Sequence, residues 1–177
     1  MKILIVDSLK KIKKSIKRVE EKIKIKVHTR KGNQVVVEGN EVNEFLVENI
    51  LRAVDFGFDV EDALLLKNDD FSLSFIDIKE HTHRKNLKEV RSRVVGTQGK
   101  AKRTIEELTG AAMVIHNNKV GIIVDSDHLD AACQGIISLI QGSKHGNVFS
   151  YLEKQNAKLR HIDEDDLGLK IDVREDS

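Results

Sequence analysis

The sequence predicts an α+β protein made of two repeated units, each a small three-stranded sheet with helices packed on one face. Two observations carry this. Segments alternating apolar and polar residues, as half-buried strands do, are interleaved with segments whose apolar residues fall on one helical face. The order strand, helical pair, two strands, helix then occurs twice, at an offset of 86 that carries Ile50 onto Ile136. The same offset lays Lys17-Arg18-Val19-Glu20-Glu21 on Arg103-Thr104-Ile105-Glu106-Glu107.

Proline is absent from the 177 residues, so glycine and Asx residues carry the punctuation. Met1–Val6 reads as a strand, and Asp7-Ser8 offers capping oxygens to a lysine-rich helix running to about Lys22. Ile23, Ile25 and Val27 alternate with lysine and histidine as a second strand; Lys31-Gly32-Asn33 turns the chain into Gln34–Glu38. Val42, Phe45, Leu46, Ile50, Leu51 and Val54 make the apolar face of a helix closed by Gly57, and a shorter amphipathic piece covers Val60–Leu66. In the second unit Phe71–Ile78 is a strand and Arg84–Val95 a basic stretch. A helix over Lys100–Leu108 stops at Thr109-Gly110. Ala112–Ile115 and Val120–Val124 pair through His116-Asn117-Asn118-Lys119, and Asp125-Ser126-Asp127 starts a helix ended by Gly142. The expected units are residues 1–68 and 69–161, the latter with a further C-terminal helix. An acidic mobile tail is expected over 162–177.

The formal net charge is only +1, but charge is sorted into blocks. Residues 1–31 hold twelve Lys or Arg against three acids, residues 84–103 eight against one, and residues 36–80 three against twelve. Such sorting permits a local positive field on a near-neutral molecule, although a charge run is most often a solvated helix face. No apolar run reaches the roughly 20 residues of a membrane span. The first six residues are too short for a secretory signal. One cysteine, Cys133, excludes an internal disulfide and suits a reduced, cytoplasmic protein, in which it is a small core residue.

Gly96-Thr97-Gln98-Gly99 is where the sequence speaks about function. Two glycines around two polar residues let backbone approach a phosphate without Cβ interference. The helix opened by Lys100 then adds free N–H groups and the positive end of its dipole. Lys100, Lys102 and Arg103 supply charge within one turn, with Arg91 and Arg93 from the preceding helix. Beside them Val94, Val95, Ile105 and the strand Met113-Val114-Ile115 offer an apolar groove for unstacked bases. A lone Gly-x-x-Gly is a weak signal; basic flanks, the Ile-Glu-Glu-Leu-Thr-Gly helix and two paired strands make it stronger.

Arg93 to Gly110 as a block resembles the heart of a type I KH domain, which makes the expected architecture two tandem type I KH domains. The tandem arrangement, together with His145-Gly146 and a helix through Phe149, Tyr151, Leu152 and Glu153, resembles a narrower group. These are the archaeal two-KH homologues of the small-subunit assembly factor that partners the Nob endonuclease. The resemblance covers residues 1 to about 160. It implies a non-enzymatic, monomeric factor without cofactors that binds single-stranded RNA near the three-prime end of small-subunit rRNA. It also implies a Nob-type endonuclease or a translation initiation factor as a protein partner. The implied RNA contacts are Arg91, Arg93, Val95, Gly96, Thr97, Gln98, Gly99, Lys100, Lys102, Arg103, Ile105, Met113 and Ile115.

The first unit departs from that pattern. Lys10 and Lys13 stand where the glycines should be, so the close clamp is lost and helix continuity improves. That unit is expected to be a degenerate KH domain serving mainly in packing. Lys10, Lys11, Lys13 and Lys14, with His145 from the second unit, are auxiliary RNA contacts. His145 fits a helix start equally well. A protein-interaction scaffold is the rival class, and an exosome-type enzyme subunit a remoter one. His81 and His83 lack a third ligand at metal spacing, no ordered triad is present, and the adjacent Glu pairs point apart on their helices.

Overall fold

The computed structural model describes residues 1–166, and side chains as far as 160. The first unit runs β1 (Lys2–Ile5), α1 (Leu9–Ile23), β2 (Lys26–Arg30), β3 (Gln34–Glu38), α2 (Glu41–Phe56) and α3 (Val60–Leu64), extended by a 3-10 turn. The second runs β4 (Phe71–Asp77), α4 (Leu87–Val95), α5 (Lys100–Thr109), β5 (Ala112–His116), β6 (Lys119–Asp125), α6 (Ser126–Gln141) and α7 (His145–Asp166). Both sheets are antiparallel, ordered β1-β3-β2 and β4-β6-β5. The two units therefore share one strand order, as the repeat predicts. They differ where α4, a glycine turn and α5 are replaced by the single uninterrupted helix α1.

The repeat also survives in one side-chain device. Glu20 Oε1 accepts the Val27 N–H at 2.8 Å, and Glu106 Oε1 accepts the Met113 N–H at 3.0 Å. Both pairs are related by the same offset. A carboxylate on the central helix thus satisfies a backbone donor of the neighbouring edge strand, which would otherwise be left without a partner.

Three local expectations give way. Ile23 belongs to α1 rather than to a strand, because Lys24 adopts a left-handed conformation (φ 55°) and returns its N–H to the Glu20 carbonyl. Neither Asp7 nor Ser8 caps α1 with its side chain; Asp55 of α2 instead accepts the N–H groups of Asp7 and Ser8 at 2.8 and 2.9 Å. The C-terminal helix continues through Asp166, past the expected start of the tail at 162. The rest of that tail, 167–177, lies outside the described residues.

The largest departure concerns the second sheet, expected to carry helices on one face only. Ile122, Met113 and Ile76 point into the second unit's own core, formed with α4, α5, α6 and α7. The opposite face holds the rows Leu73–Ile123–Ala112 and Phe75–Gly121–Val114. Ile123 is fully buried there, in the first unit's core, and Leu73, Ala112 and Val114 pack against that core. Both faces of this sheet are covered, which is why β6 is apolar from Val120 to Val124 rather than alternating. On the opposite face of the first sheet Val36 is fully buried, while Ile3 and Ile5 of the edge strand β1 are 49% and 81% exposed.

At the centre of the seam a Cβ on Gly121 would lie 2.7 Å from Phe56 Cε1 and 2.9 Å from Phe58 Cε2. Only glycine lets both rings approach β6. Gly121→Val is expected to destabilise the protein by about 1–3 kcal/mol, the usual range for overpacking a core, read as a lowered urea midpoint. An unchanged midpoint would show that the seam is looser than described.

Candidate nucleic-acid interface

Asn86 caps α4 by accepting the Glu89 N–H, and the helix ends at Gly96, whose N–H returns to the Ser92 carbonyl at 2.8 Å. Gly96 has φ 75° and ψ 170°, Gln98 φ 52°, and Gly99 φ 75° and ψ 13°. The Gly99 N–H closes a single 3-10 turn onto the Gly96 carbonyl at 3.1 Å. Among the described residues the N–H groups of Thr97 and Gln98 have no acceptor, and both residues are exposed.

The two glycines serve different ends. A Cβ on Gly96 would stand 2.6 Å from both the backbone N and the Cβ of Ala101, so this position lets α4 and α5 meet closely. A Cβ on Gly99 would meet nothing within 4 Å. Gly99 supplies the left-handed turn and leaves an uncluttered surface above the start of α5. A carboxylate introduced there has room and repels an anion; one at Gly96 would force the helices apart.

The cations divide in the same way. Lys100 is exposed and makes no ion pair among the described residues. Arg103 Nη2 donates to the Gln98 carbonyl at 3.0 Å, which holds the guanidinium against the turn. Lys102 pairs with Glu106 at 3.2 Å, so its charge is partly spent within α5. Arg91 Nη1 donates to the Asn117 carbonyl at 2.8 Å, tying α4 to the turn between β5 and β6. Val95, at the end of α4, and Ile115, in β5, are half-buried.

Four expected contacts are committed elsewhere. Arg93 Nη2 donates to the Ser143 carbonyl at 2.6 Å and its Nε to that of Leu139, so it caps the end of α6. His145 Nε2 bonds the Arg93 carbonyl at 2.8 Å and its ring lies 6.0 Å from Phe149, a helix-start role. Ile105 and Met113 are each 1% exposed and belong to the core. The Met113 N–H is taken by Glu106 and is not open to a base edge. In the first unit Lys10, Lys11, Lys13 and Lys14 are all exposed on α1 around the buried Ile12. Lys11 reaches the seam: its Nζ lies 3.9 Å from the Cβ position of Gly57, which is itself 3.3 Å from Val114 Cγ1. Cys133 is half-buried 3.9 Å from the Ser74 hydroxyl, and burial raises its thiol pKa.

An antiparallel sheet ordered edge, centre, edge, with a Gly-x-x-Gly turn between two helices ahead of its second strand, defines a KH domain of type I. Residues 72–157, within the second unit, match the family model described as the eukaryotic-type KH domain (KH-domain type I). Beyond that unit, the chain is similar to the pno1 and Dim2p proteins. It is 28% identical over 150 residues to a KH domain-containing protein of Methanocaldococcus jannaschii, covering 81% of this chain and 66% of that protein. It is 32% identical over 117 residues to the pre-rRNA-processing protein pno1 of Aspergillus oryzae, covering 64% of this chain and 45% of that protein. The chain thus spans only part of the length of these relatives. Dim2p of Pyrococcus horikoshii superposes with a TM-score of 0.78 at 25% identity, over 86% of this chain and 98% of that one.

The glycines give a local test. Gly96→Ala is expected to cost more than about 2 kcal/mol, combining overpacking with left-handed strain. Gly99→Ala should cost about 1 kcal/mol, from backbone strain alone. Equal losses in chemical denaturation would contradict the division of roles.

Proposed function

We propose that this protein binds single-stranded RNA in the groove of its second unit and acts, without catalysis of its own, in small-subunit rRNA processing. The observation that carries the reading is the turn at Gly96–Gly99. It places N–H groups without an acceptor, and the N-terminus of α5, beside Lys100, which like them has no partner among the described residues, and the pinned Arg103. Those groups fit one phosphate, with bases laid on Val95 and Ile115. The name pre-rRNA-processing protein, borne by pno1, supports the assignment to rRNA.

Arg91, Val95, Gly96, Thr97, Gln98, Gly99, Lys100, Arg103 and Ile115 are the proposed contacts, with Lys102 a weaker one. The first unit, residues 1–68, is a KH-derived domain that has lost its clamp; Lys10, Lys11, Lys13 and Lys14 add charge. The boundary at 69 and the site near the three-prime end of small-subunit rRNA belong to the same reading. So do cytoplasmic location, a monomeric state and a Nob-type endonuclease or initiation factor as partner. No helix among the described residues is long and apolar enough to cross a membrane.

Fluorescence anisotropy of short labelled RNAs tests this. Gly99→Asp should bind at least about tenfold more weakly, since a charge-assisted phosphate contact contributes roughly 1.5–3 kcal/mol, while melting as wild type to within the strain of one residue. Gly96→Asp is unsuitable, because its clash with Ala101 would confuse binding with folding. Removing Lys100 and Arg103 together should reduce the slope of log affinity against log salt by roughly 0.7 for each phosphate that is no longer neutralised. Undiminished binding by folded Gly99→Asp would refute the site.

A further inference from the structure

At the seam between the two units lies an aromatic cluster that the groove does not use. The Phe56 ring stands 4.8 Å from that of Phe75, tilted against it, and 5.8 Å from that of His116, edge to face. Phe75 is 41% exposed although it sits in a strand, and His116 is exposed at the end of β5. The seam does not need these open faces to be sealed. Phe58, 4% exposed, fills the inner part and meets β6 at Gly121. Two adjoining cavities of about 390 and 370 Å3 share Phe56 and His116 in their walls. Lys79 and Lys119 flank one of them, Lys11 and Arg52 the other.

We propose that an RNA strand leaving the groove continues across this seam and stacks a base on the Phe56–Phe75–His116 cluster. The inference rests on the RNA-binding reading and extends it to a second base site. Continuity is the first argument. Asn117, next to His116, has its carbonyl held by Arg91 at 2.8 Å, so the edge of the groove and the edge of the cluster are one turn of chain. Chemistry is the second. Exposed aromatic faces among cations are the usual platform for single-stranded nucleic acid, because every base has a π-face whereas its phosphate needs charge at the rim.

The carboxylates that face the cavities fit a base better than a phosphate. Asp55 already accepts two backbone N–H groups, and Asp77 accepts that of Lys79 at 2.9 Å, but each oxygen keeps further acceptor capacity. Together with the exposed Asp7 they would repel a buried phosphate and accept the amino or imino hydrogens of a base edge. The phosphates would then lie outside, against Lys11, Lys79 and Lys119.

The test uses the full chain with single-stranded RNAs of four and eight nucleotides, 2-aminopurine being placed at each position of the longer one in turn. A KH groove holds about four nucleotides, so the four-mer reports the groove and the eight-mer both sites. Wild type should bind the eight-mer more tightly and quench 2-aminopurine at a position beyond those held by the groove. Phe75→Leu and the exposed His116→Ala should remove that quenching and weaken the eight-mer about tenfold, within the range for one stacked base, leaving four-mer affinity unchanged and the chain folded at the assay temperature. Equal affinity for the two lengths, or no quenching outside the groove positions, overturns the second site while the groove stands. Intact eight-mer binding and quenching in both variants also overturns it, as does a cluster that answers to a protein partner and to no RNA. Failure of wild type to bind either length overturns the RNA-binding reading, and this inference with it.

Discussion

The close approach of Phe56 and Phe58 to β6 is the contact on which the rest of the molecule depends. It is permitted by the missing side chain at Gly121 and completed by Ile123 in the first unit's core. Because of it the second sheet has no free face, the end of α2 is held against β4 and β5, and Lys11 is brought beside Val114. The second unit cannot simply be cut away as a portable domain, since Leu73, Val114 and Ile123 would then face water. This gives a physical reason for the first unit to be present although it has no glycine turn. Its apolar face is half of the seam.

The order of elements was legible because each depends on local pattern. Period-two alternation marked β2 and β4, the turn at Lys31-Gly32-Asn33 marked β3, the helical stripe marked α2 and α6, and the offset of 86 joined the halves. The direction in which β4 faces was not legible. Phe71, Leu73 and Phe75 alternate as a half-buried strand should, yet periodicity says only that they share a face, not which neighbour covers it. The only hint was the unbroken apolar run of β6, the mark of a strand covered on both sides. Asp55 as the holder of the α1 N-terminus was equally hidden, since 47 residues separate it from Ser8.

In the candidate site, the glycine turn could be read from sequence because positive φ and close approach require glycine whatever the tertiary setting. Lys100 and Arg103 followed from position alone. Arg93 and His145 could not be distinguished from RNA contacts, as their partners are carbonyls at the end of α6 and of α4, and any residue type carries a carbonyl. Ile105 and Met113 were placed on the correct elements but one layer too shallow. The aromatic cluster went unseen because Phe56, Phe75 and His116 come from three elements in two units.

The uninterrupted helix α1 has a consequence for how the protein responds to its medium. Along α1, Lys10, Lys13, Lys14 and Lys17 stand at spacings of three and four, with no acid in the first turn and the first acids, Glu20 and Glu21, three and four residues beyond Lys17. Like charges so spaced oppose the helix by a few tenths of a kcal/mol each, and mobile ions relieve that repulsion over a Debye length of about 10 Å at 0.1 M. Salt therefore acts on the two units in opposite senses. It would loosen a polyanion from the proposed groove of the second while firming the helix of the first, so the state that has let go of such a ligand would be the one whose fold ionic strength favours.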